Sequence, residues 1–301
     1  MVSAHASTQL DVIIVVSDGD AGHLEPCLAS LKRHPLSFGG MTVNVMDNSS
    51  GESIERLVRE RFPHVRLHRF GRNTGFCVAN NEGLRKTSSP FALVLNPDTE
   101  FVEDSLDYLV DLLQKQPEIG MVGCRLVRRD GSFDHAAKRS FPTPLSALAH
   151  FTGIGRRAGA SPRLSQYRAP DLDEQGAGEV DAVNGAFMLV RRAAVKEVGL
   201  FDAGYWTYME DLDWCYRFKQ KGWKVWYEGR TTVIHVKGGA TVRRGHRSLR
   251  HNYAFHRSMA RFYRKFHARE RPLLDAAVYG AIGIKFVVSA ARSAIARRGF
   301  S

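Results

Sequence analysis

The sequence predicts an α/β domain with a mainly parallel central sheet, extended at its C-terminal end by a basic helical segment. Three observations carry that expectation. Over the first 130 residues, short β-rich runs alternate with segments of helical period, the pattern of βαβ units. The residues that follow three of those runs are rich in Asp, Asn, Ser and Gly. The charge is also divided: residues 1–240 hold 29 Lys and Arg against 29 Asp and Glu, while residues 241–301 hold 14 against Glu270 and Asp275, so the tail carries the whole net charge of +12.

The elements follow in order. Residues 12–16 read as a buried strand, and Leu24, Cys27, Leu28 and Leu31 then fall at i, i+3, i+4 and i+7, one apolar helix face. Residues 42–46 form the next strand, Ile54, Leu57 and Val58 mark a helix, and residues 65–69 a third strand. A helix over 73–86 turns Phe76, Ala79 and Leu84 inward; a fourth strand covers 91–95. A helix over 104–115 uses Leu106, Leu109, Val110 and Leu113, and a strand over 121–127 leads to the turn signal Asp130-Gly131. From about 135 to 178 periodicity is lost and Pro, Gly, Ser, Ala and Arg dominate, which predicts a long flexible loop. Beyond it come a strand-like run over 180–191, a helix over 209–220, short strands over 223–227 and 231–236, and a basic, aromatic helix over 246–267. The division expected is a catalytic domain over 1–240, with a donor part at about 10–130 and an acceptor part at about 180–240, then a tail over 241–301.

The composition, 44% hydrophobic and 25% charged, is that of a folded globular chain. Cys27, Cys77, Cys124 and Cys215 are scattered without ligand spacing and read as core residues. The N-terminal residues lack a basic region followed by an apolar run, so a cytoplasmic protein is expected.

In an open parallel sheet, ligands bind beyond the carboxyl ends of the strands. Here those ends carry Ser17-Asp18-Gly19-Asp20, Asp47-Asn48-Ser49-Ser50 and Asn96-Pro97-Asp98. Each segment alone serves equally as a turn or a helix cap. Three on one edge suit a nucleotide diphosphate: Asp47 can accept the imide N–H of uracil or thymine, and Asn96 and Asp98 offer hard oxygen ligands for Mg²⁺ or Mn²⁺. His235, ending a late strand, could ligate the same metal. Glu210, Asp211 and Asp213 form the densest carboxylate cluster, preceded by Tyr205, Trp206, Thr207 and Tyr208. Acids at a helix start complement its dipole; a carboxylate beside Trp206 and Tyr208, on which sugar rings pack, also suits a general base.

These segments resemble glycosyltransferase family 2, in particular its bacterial rhamnosyltransferase-like branch. The resemblance spans about residues 11–241 and rests on DNSS (47–50), GRNTGFCVANNEG (71–83), NPD (96–98), VNGAFMLVRR (183–192) and GLFDAGYWTYMEDLDWCYR (199–217). It implies a GT-A, Rossmann-like nucleotide-diphospho-sugar transferase fold and an inverting, metal-dependent reaction. By position, Asp47 is similar to the family's base-reading Asp and Asp98 to the metal-binding Asp. Ser17, Asn73, Gly75, Asn81 and Asn96 match donor-site positions, and Gly185 and Ala186 the small pair lining the sugar pocket. Asp211 is similar to the catalytic base, with Trp206, Tyr208, Glu210 and Asp213 around the acceptor, and His235 to a metal-binding His. Departures are Ser17-Asp18-Gly19 in place of T-Y-N, a shortened turn after Ser50, and Asn96 in place of the first Asp of DxD, which predicts weaker metal binding.

The resulting expectation is transfer of a sugar, L-rhamnose from dTDP-rhamnose first, from a nucleotide-diphosphate donor to a cell-envelope glycan or polyprenyl-linked saccharide. A UDP donor of galactofuranose, glucose or N-acetylhexosamine is the alternative within the family. The basic tail predicts attachment to an anionic membrane surface, on the inner face of the plasma membrane, because each Lys or Arg near anionic lipid contributes about 1 kcal/mol. The apolar run over 276–284, interrupted by Lys285, reads as too short to span, and Lys285, Ser289 and Arg292 share one helical face, as in an interfacial helix. A nucleic-acid-binding scaffold is the rival from another class. The carboxylate set, which a polyanion would repel, counts against it, and no nucleic-acid partner is expected.

Overall fold

Val12, Ile13, Ile14 and Val16 are all inaccessible to solvent, as in a strand covered on both faces, and they lie at the centre of the sheet. The computed structural model describes residues 9–141, 172–236, 242–243, 246–268 and 271–298. One large sheet contains β1 (Leu10–Val16), β2 (Met41–Asp47), β3 (Arg66–Arg69), β4 (Phe91–Leu95), β5 (Thr99–Phe101) and β6 (Ile119–Val127). A short pair, β7 (Lys138–Arg139) with β9 (Ala182–Val183), lies apart from it. The large sheet is completed by β8 (Ala177–Glu179), β10 (Phe187–Arg191) and β11 (Lys224–His235). Its order is β3, β2, β1, β4, β10, β6, β11, β5, with β8 beside β11. Strands β3, β2, β1, β4, β6 and β11 run one way; β10, β5 and β8 oppose them. The sheet is thus mainly parallel, as expected, and β1, β2 and β4 end on one edge.

Helices α1 (Ala21–Arg33), α2 (Ser53–Arg61), α3 (Phe76–Lys86) and α4 (Ser105–Lys115) cover the sheet. Leu24, Cys27, Leu28 and Leu31 of α1 are buried, as are Leu106, Leu109, Val110 and Leu113 of α4, so the helical period chose the faces correctly. Each such side chain contributes about 1.5–3 kcal/mol when fully buried. All four cysteines are free and buried.

The structure departs from the sequence expectation in several places, each for a local reason. Helix α3 starts at Phe76 because Asn73 folds into a turn, its Oδ1 accepting from Gly75 N at 2.9 Å. The run over 180–191 breaks into β9 and β10, since Asn184 Oδ1 takes the Ala186 amide at 2.8 Å and bends the chain. A short helix, α5 (Arg192–Val198), follows β10 and was not expected. Two late strands are instead one, β11, with an irregularity between Glu228 and Thr232. The loop expected over 135–178 is ordered at both ends, as β7 and β8; the part over 142–171 lies outside the described residues.

The tail is not a detached appendage. After α6 (Glu210–Gln220) and β11, helix α7 (Leu249–Phe266) starts where Ser248 caps it, its hydroxyl accepting from His251 N. Phe262 of α7 joins the main core, while Arg261 and Lys265 pair with Asp202, and Lys265 also with Asp213. Helix α8 (Pro272–Arg298) folds back on α7 through Tyr263, Val278 and Ile282. Among the described residues it is the one helix long and apolar enough to cross a membrane by length and composition, over Pro272–Ser293, which corrects the expectation of too short a run. Ser289 hydrogen-bonds Asn252 of α7, whereas Leu273, Ile284 and Val287 stand 87%, 68% and 63% exposed.

Candidate active site

Strand register brings part of the predicted set to the carboxyl edge of the sheet. Val16 pairs with Asp47, so Ser17 follows beside Asn48, and Ile14 pairs with Leu95, so Asn96 leaves β4 two residues short of that level. Strand β10 runs the opposite way, Phe187 facing Leu95, and so delivers its preceding turn, Asn184-Gly185-Ala186, to the same edge. Ala186 O accepts from Asn96 N at 3.0 Å, which ties the two segments together.

On the β1–β2 side the loops are held by their own polar groups. Ser17 donates to Asp20 Oδ2 through its amide and its hydroxyl, both at 2.8 Å. Asp47 is fully buried: Oδ1 accepts from Ser49 Oγ at 2.5 Å and Oδ2 from Arg69 Nε at 3.2 Å. Because no part of it reaches solvent, a base could bond to it only once the surrounding loop moves aside. Asn48 clasps the next turn, with Oδ1 accepting from Thr74 N at 2.7 Å and Nδ2 donating to Asn73 at 3.2 Å. Gly75 sits at φ +91°, and a Cβ there would stand 3.1 Å from Trp206 Cδ1, so the glycine serves both the turn and the close approach. Asn81 lies deeper: it donates to Phe201 O and accepts from Phe201 N, both at 2.9 Å, and so fastens α3 to the loop before α6.

Asp98 and His235 meet. His235 Nε2 lies 3.5 Å from Asp98 Oδ1, and Nδ1 lies 3.3 Å from Asp134 Oδ2. Burial would lower the His235 pKa, but the hydrogen bonds and charges of Asp134 and Asp98 outweigh it and raise it to about 9. Burial would likewise raise Asp98, but His235 holds it below the usual carboxylate range. Among the described residues no group of three or more His, Cys, Asp and Glu makes a complete metal cage. Two ligands suffice for a cation shared with a substrate, since Mg²⁺ is usually held by one or two carboxylates plus substrate phosphates. The hard oxygen and imidazole donors present fit Mg²⁺ or Mn²⁺.

The carboxylate cluster opens α6, and its members separate by role. Asp211 Oδ2 accepts from Arg139 Nη2 at 2.5 Å and from Gly185 N at 3.1 Å, and Oδ1 accepts from Leu212 N at 2.8 Å. Three donors occupy three of about four lone-pair positions on a carboxylate, so one is left for a hydroxyl. Gly185 is small because a Cβ there would lie 3.3 Å from Asp211 Cβ. Glu210 is buried with Oε2 unbonded; burial and the neighbouring Asp211 charge push its pKa up. Asp213 points away from the others, into an ion cluster with Arg217 and Lys265. Ahead of the cluster, Tyr208 and Met209 adopt φ of 66° and 67°, and such strain costs on the order of 1–3 kcal/mol per residue and gathers at functional sites. Trp206 and Tyr208 are gripped by α7: the Arg250 guanidinium lies 4.3 Å from the Trp206 ring, and Tyr208 meets Phe255 edge to face.

The edge therefore closes into a ring of contacts through Asp211, Arg139, the segment from Asp134, His235, Asp98, Asn96, Ala186 and Gly185. Asp47 stands two strands away from β4, about 10 Å at the usual strand spacing, which is the scale of a nucleoside. Arg139 and Asp134 were missed, because both fall around the start of the segment read as loop and find their partners 72 and 101 residues away.

Comparison with known proteins identifies the family. The family description "Glycosyl transferase family 2" matches residues 11–199. The N-acetylglucosaminyl-diphospho-decaprenol L-rhamnosyltransferase of Mycobacterium tuberculosis is 30% identical, over 77% of each chain. Rhamnosyltransferase WbbL of Escherichia coli is 25% identical, over 74% of this chain and 82% of its own. A solved mannosyltransferase of Pyrobaculum calidifontis, in complex with GDP-Man and Mn²⁺, superposes with a TM-score of 0.58 at 15% identity, covering 98% of this chain and 76% of that one. The GT-A fold, the matched family and the rhamnosyltransferase relatives converge: the chain belongs to glycosyl transferase family 2 and is a rhamnosyltransferase-like, nucleotide-sugar-dependent glycosyltransferase.

Proposed function

We propose that the protein transfers L-rhamnose from dTDP-rhamnose, with inversion, to a hydroxyl of a polyprenyl-diphosphate-linked saccharide or cell-envelope glycan. The observation that carries the reading is the placement of Asp211 and the Asp98–His235 pair within one ring of contacts. The donor's diphosphate lies over Asn96 and Asp98, its sugar against Gly185 and Ala186, and its nucleoside across the ends of β1 and β2, near Ser17, Asp47, Asn73 and Gly75. Asp98 and His235 hold a divalent cation, Mn²⁺ or Mg²⁺. When bound, that cation offsets the negative charge that grows on the leaving diphosphate.

Asp211 accepts the proton of the acceptor hydroxyl as its oxygen attacks the anomeric carbon from the face opposite the diphosphate. The bond from that carbon to the diphosphate oxygen breaks, and the electron pair leaves with the diphosphate. Arg139 and the Gly185 amide fix Asp211 Oδ2, which keeps the carboxylate aimed without a rotamer search. Burial and the Asp211 charge push the Glu210 pKa up, which lessens the negative charge beside the base. Trp206 and Tyr208 pack the acceptor sugar, and Asn81 and Asp213 support the loop and helix that carry the site. The sugar and acceptor follow the names of the rhamnosyltransferase relatives.

The protein works on the cytoplasmic side of the plasma membrane, docked through α8. Its outward side presents Leu273, Ile284, Val287 and Val288, with Arg271 and Arg292 exposed near the two ends of the stretch. Such a side buries apolar surface in a bilayer while the arginines reach anionic headgroups.

The test is thermal stabilisation by dTDP and by UDP, each with and without Mn²⁺. The proposal expects dTDP with Mn²⁺ to raise the melting temperature most. A larger shift with UDP would transfer the reading to a UDP-sugar donor, and no shift with either would overturn nucleotide-sugar binding at this edge.

A further inference from the structure

Asp134 is buried, and its place is set by the hairpin that follows β6. Its amide donates to Leu126 O at 2.9 Å, and its carbonyl accepts from Ala137 N at 2.8 Å. One carboxylate oxygen, Oδ1, accepts from Ala136 N at 3.0 Å, which stops the side chain from turning. The other, Oδ2, faces His235 Nδ1 at 3.3 Å, while the opposite ring nitrogen, Nε2, faces Asp98 at 3.5 Å. The imidazole is thus held between a carboxylate at the substrate edge and one anchored in the fold. Residues five apart, Asp134 and Arg139, serve the two halves of the site: one reaches His235 and the other Asp211.

We infer that Asp134 is a positioning residue for metal binding. When a cation takes the place of the Nε2 proton, Asp134 holds the remaining proton of His235 on Nδ1 and keeps the Nε2 lone pair directed toward the cation that Asp98 shares. This rests on the reading of Asp98 and His235 as the metal pair. The chemistry is general: a ligating imidazole that donates its second N–H to a carboxylate is fixed in tautomer and ring orientation and is a stronger ligand. Loss of such a partner weakens metal affinity roughly 10- to 100-fold. An ordinary buried ion pair would support the fold but would not tie metal affinity to His235 specifically, and this difference makes the inference testable.

The experiment is a Mn²⁺ titration of the full chain by electron paramagnetic resonance, reading the free-ion signal. It is run with saturating dTDP and, separately, UDP, against nucleotide-only blanks, and circular dichroism melts check folding. The variants are Asp134→Ala, Asp134→Asn, His235→Ala and both Asp134 changes combined with His235→Ala. Asp134→Ala should weaken Mn²⁺ roughly 10- to 100-fold, with turnover recovered at high Mn²⁺, so that the metal requirement moves and kcat does not. Asp134→Asn, which keeps an acceptor oxygen, should lose only several-fold, and neither change should matter once His235 is alanine. If Asp134→Ala fails to fold, Asp134→Asn carries the same comparison. Equal weakening with and without His235, or wild-type affinity in a variant whose His235→Ala counterpart is weakened, would overturn the inference while leaving the metal pair standing. Wild type and His235→Ala binding Mn²⁺ equally would instead remove the metal pair, and the inference with it.

Discussion

Replacing Arg139 by methionine isolates the contact on which the geometry of the base depends. The two side chains of the Arg139–Asp211 pair are only 10% and 12% exposed, so neither charge is restored to water when the other is removed. Breaking a buried pair in this way costs about 3–5 kcal/mol. Asp211 keeps two backbone donors, Gly185 N and Leu212 N, which places the expected loss near the lower end of that range, about 3 kcal/mol. Val183 O also loses its 2.6 Å bond from Arg139. Urea unfolding measures the stability, and the double variant with Asp211→Asn measures the coupling. Neutralising the stranded carboxylate should recover more than about 1 kcal/mol, because contacting residues are not additive. Turnover of Arg139→Met should fall even where the protein is fully folded. Stability within about 0.5 kcal/mol of wild type, the usual range for an inconsequential surface change, together with unaltered turnover, would refute the reasoning.

Other outcomes follow from the same contacts. Asp211→Asn should lower kcat by roughly 10²- to 10⁴-fold, the range of a general base, while donor binding measured by thermal shift stays near wild type. Ile284→Glu with Val287→Glu should abolish co-sedimentation with anionic vesicles and leave transfer to a soluble acceptor intact; undiminished vesicle binding would remove α8 as the docking element. Asp202 titrates with the packing of α7: burial would raise its pKa, but Lys265, the Gly204 amide and Arg261 bring it down to about 2. A depressed carboxylate stabilises the fold above its ordinary value of 3.8 and loses that contribution as pH falls toward about 2. With allowance for solvent screening this amounts to about 1 kcal/mol, and Asp202→Asn should erase that part of the acid dependence in urea melts between those limits.

The fold was legible because burial on two faces leaves apolar runs, and helices on a sheet leave a stripe. Leu24, Cys27, Leu28 and Leu31 announced α1 in this way, and Val12 to Val16 announced β1. The edge residues were legible for a related reason: polar residues directly after a buried strand in a parallel sheet have one edge to occupy. What spacing could not carry was the closing of the site from far along the chain. Arg139 reaches Asp211, and Asp134 reaches His235, from a region whose composition resembles loop. Asp47 was read as the partner of a base; that it is fully buried and already bonded by Ser49 and Arg69 follows from local turn geometry that residue type does not reveal. The tail was judged by its charge, whereas Phe262 and Lys265 bind α7 to the core and to Asp213 through contacts no periodicity encodes. Within the polar stripe of α8, Ser289 finds its partner on α7, a contact that helical period alone does not reveal.

The most direct measurement is an anomalous-scattering map from crystals soaked with Mn²⁺ and dTDP. A Mn²⁺ peak bonded to an Asp98 oxygen and to His235 Nε2, bridged to the diphosphate, with Asp211 facing the position beyond the diphosphate where a sugar carbon would sit, is the predicted result. A peak elsewhere, or nucleotide bound on a different face of the sheet from Asp211, would contradict it.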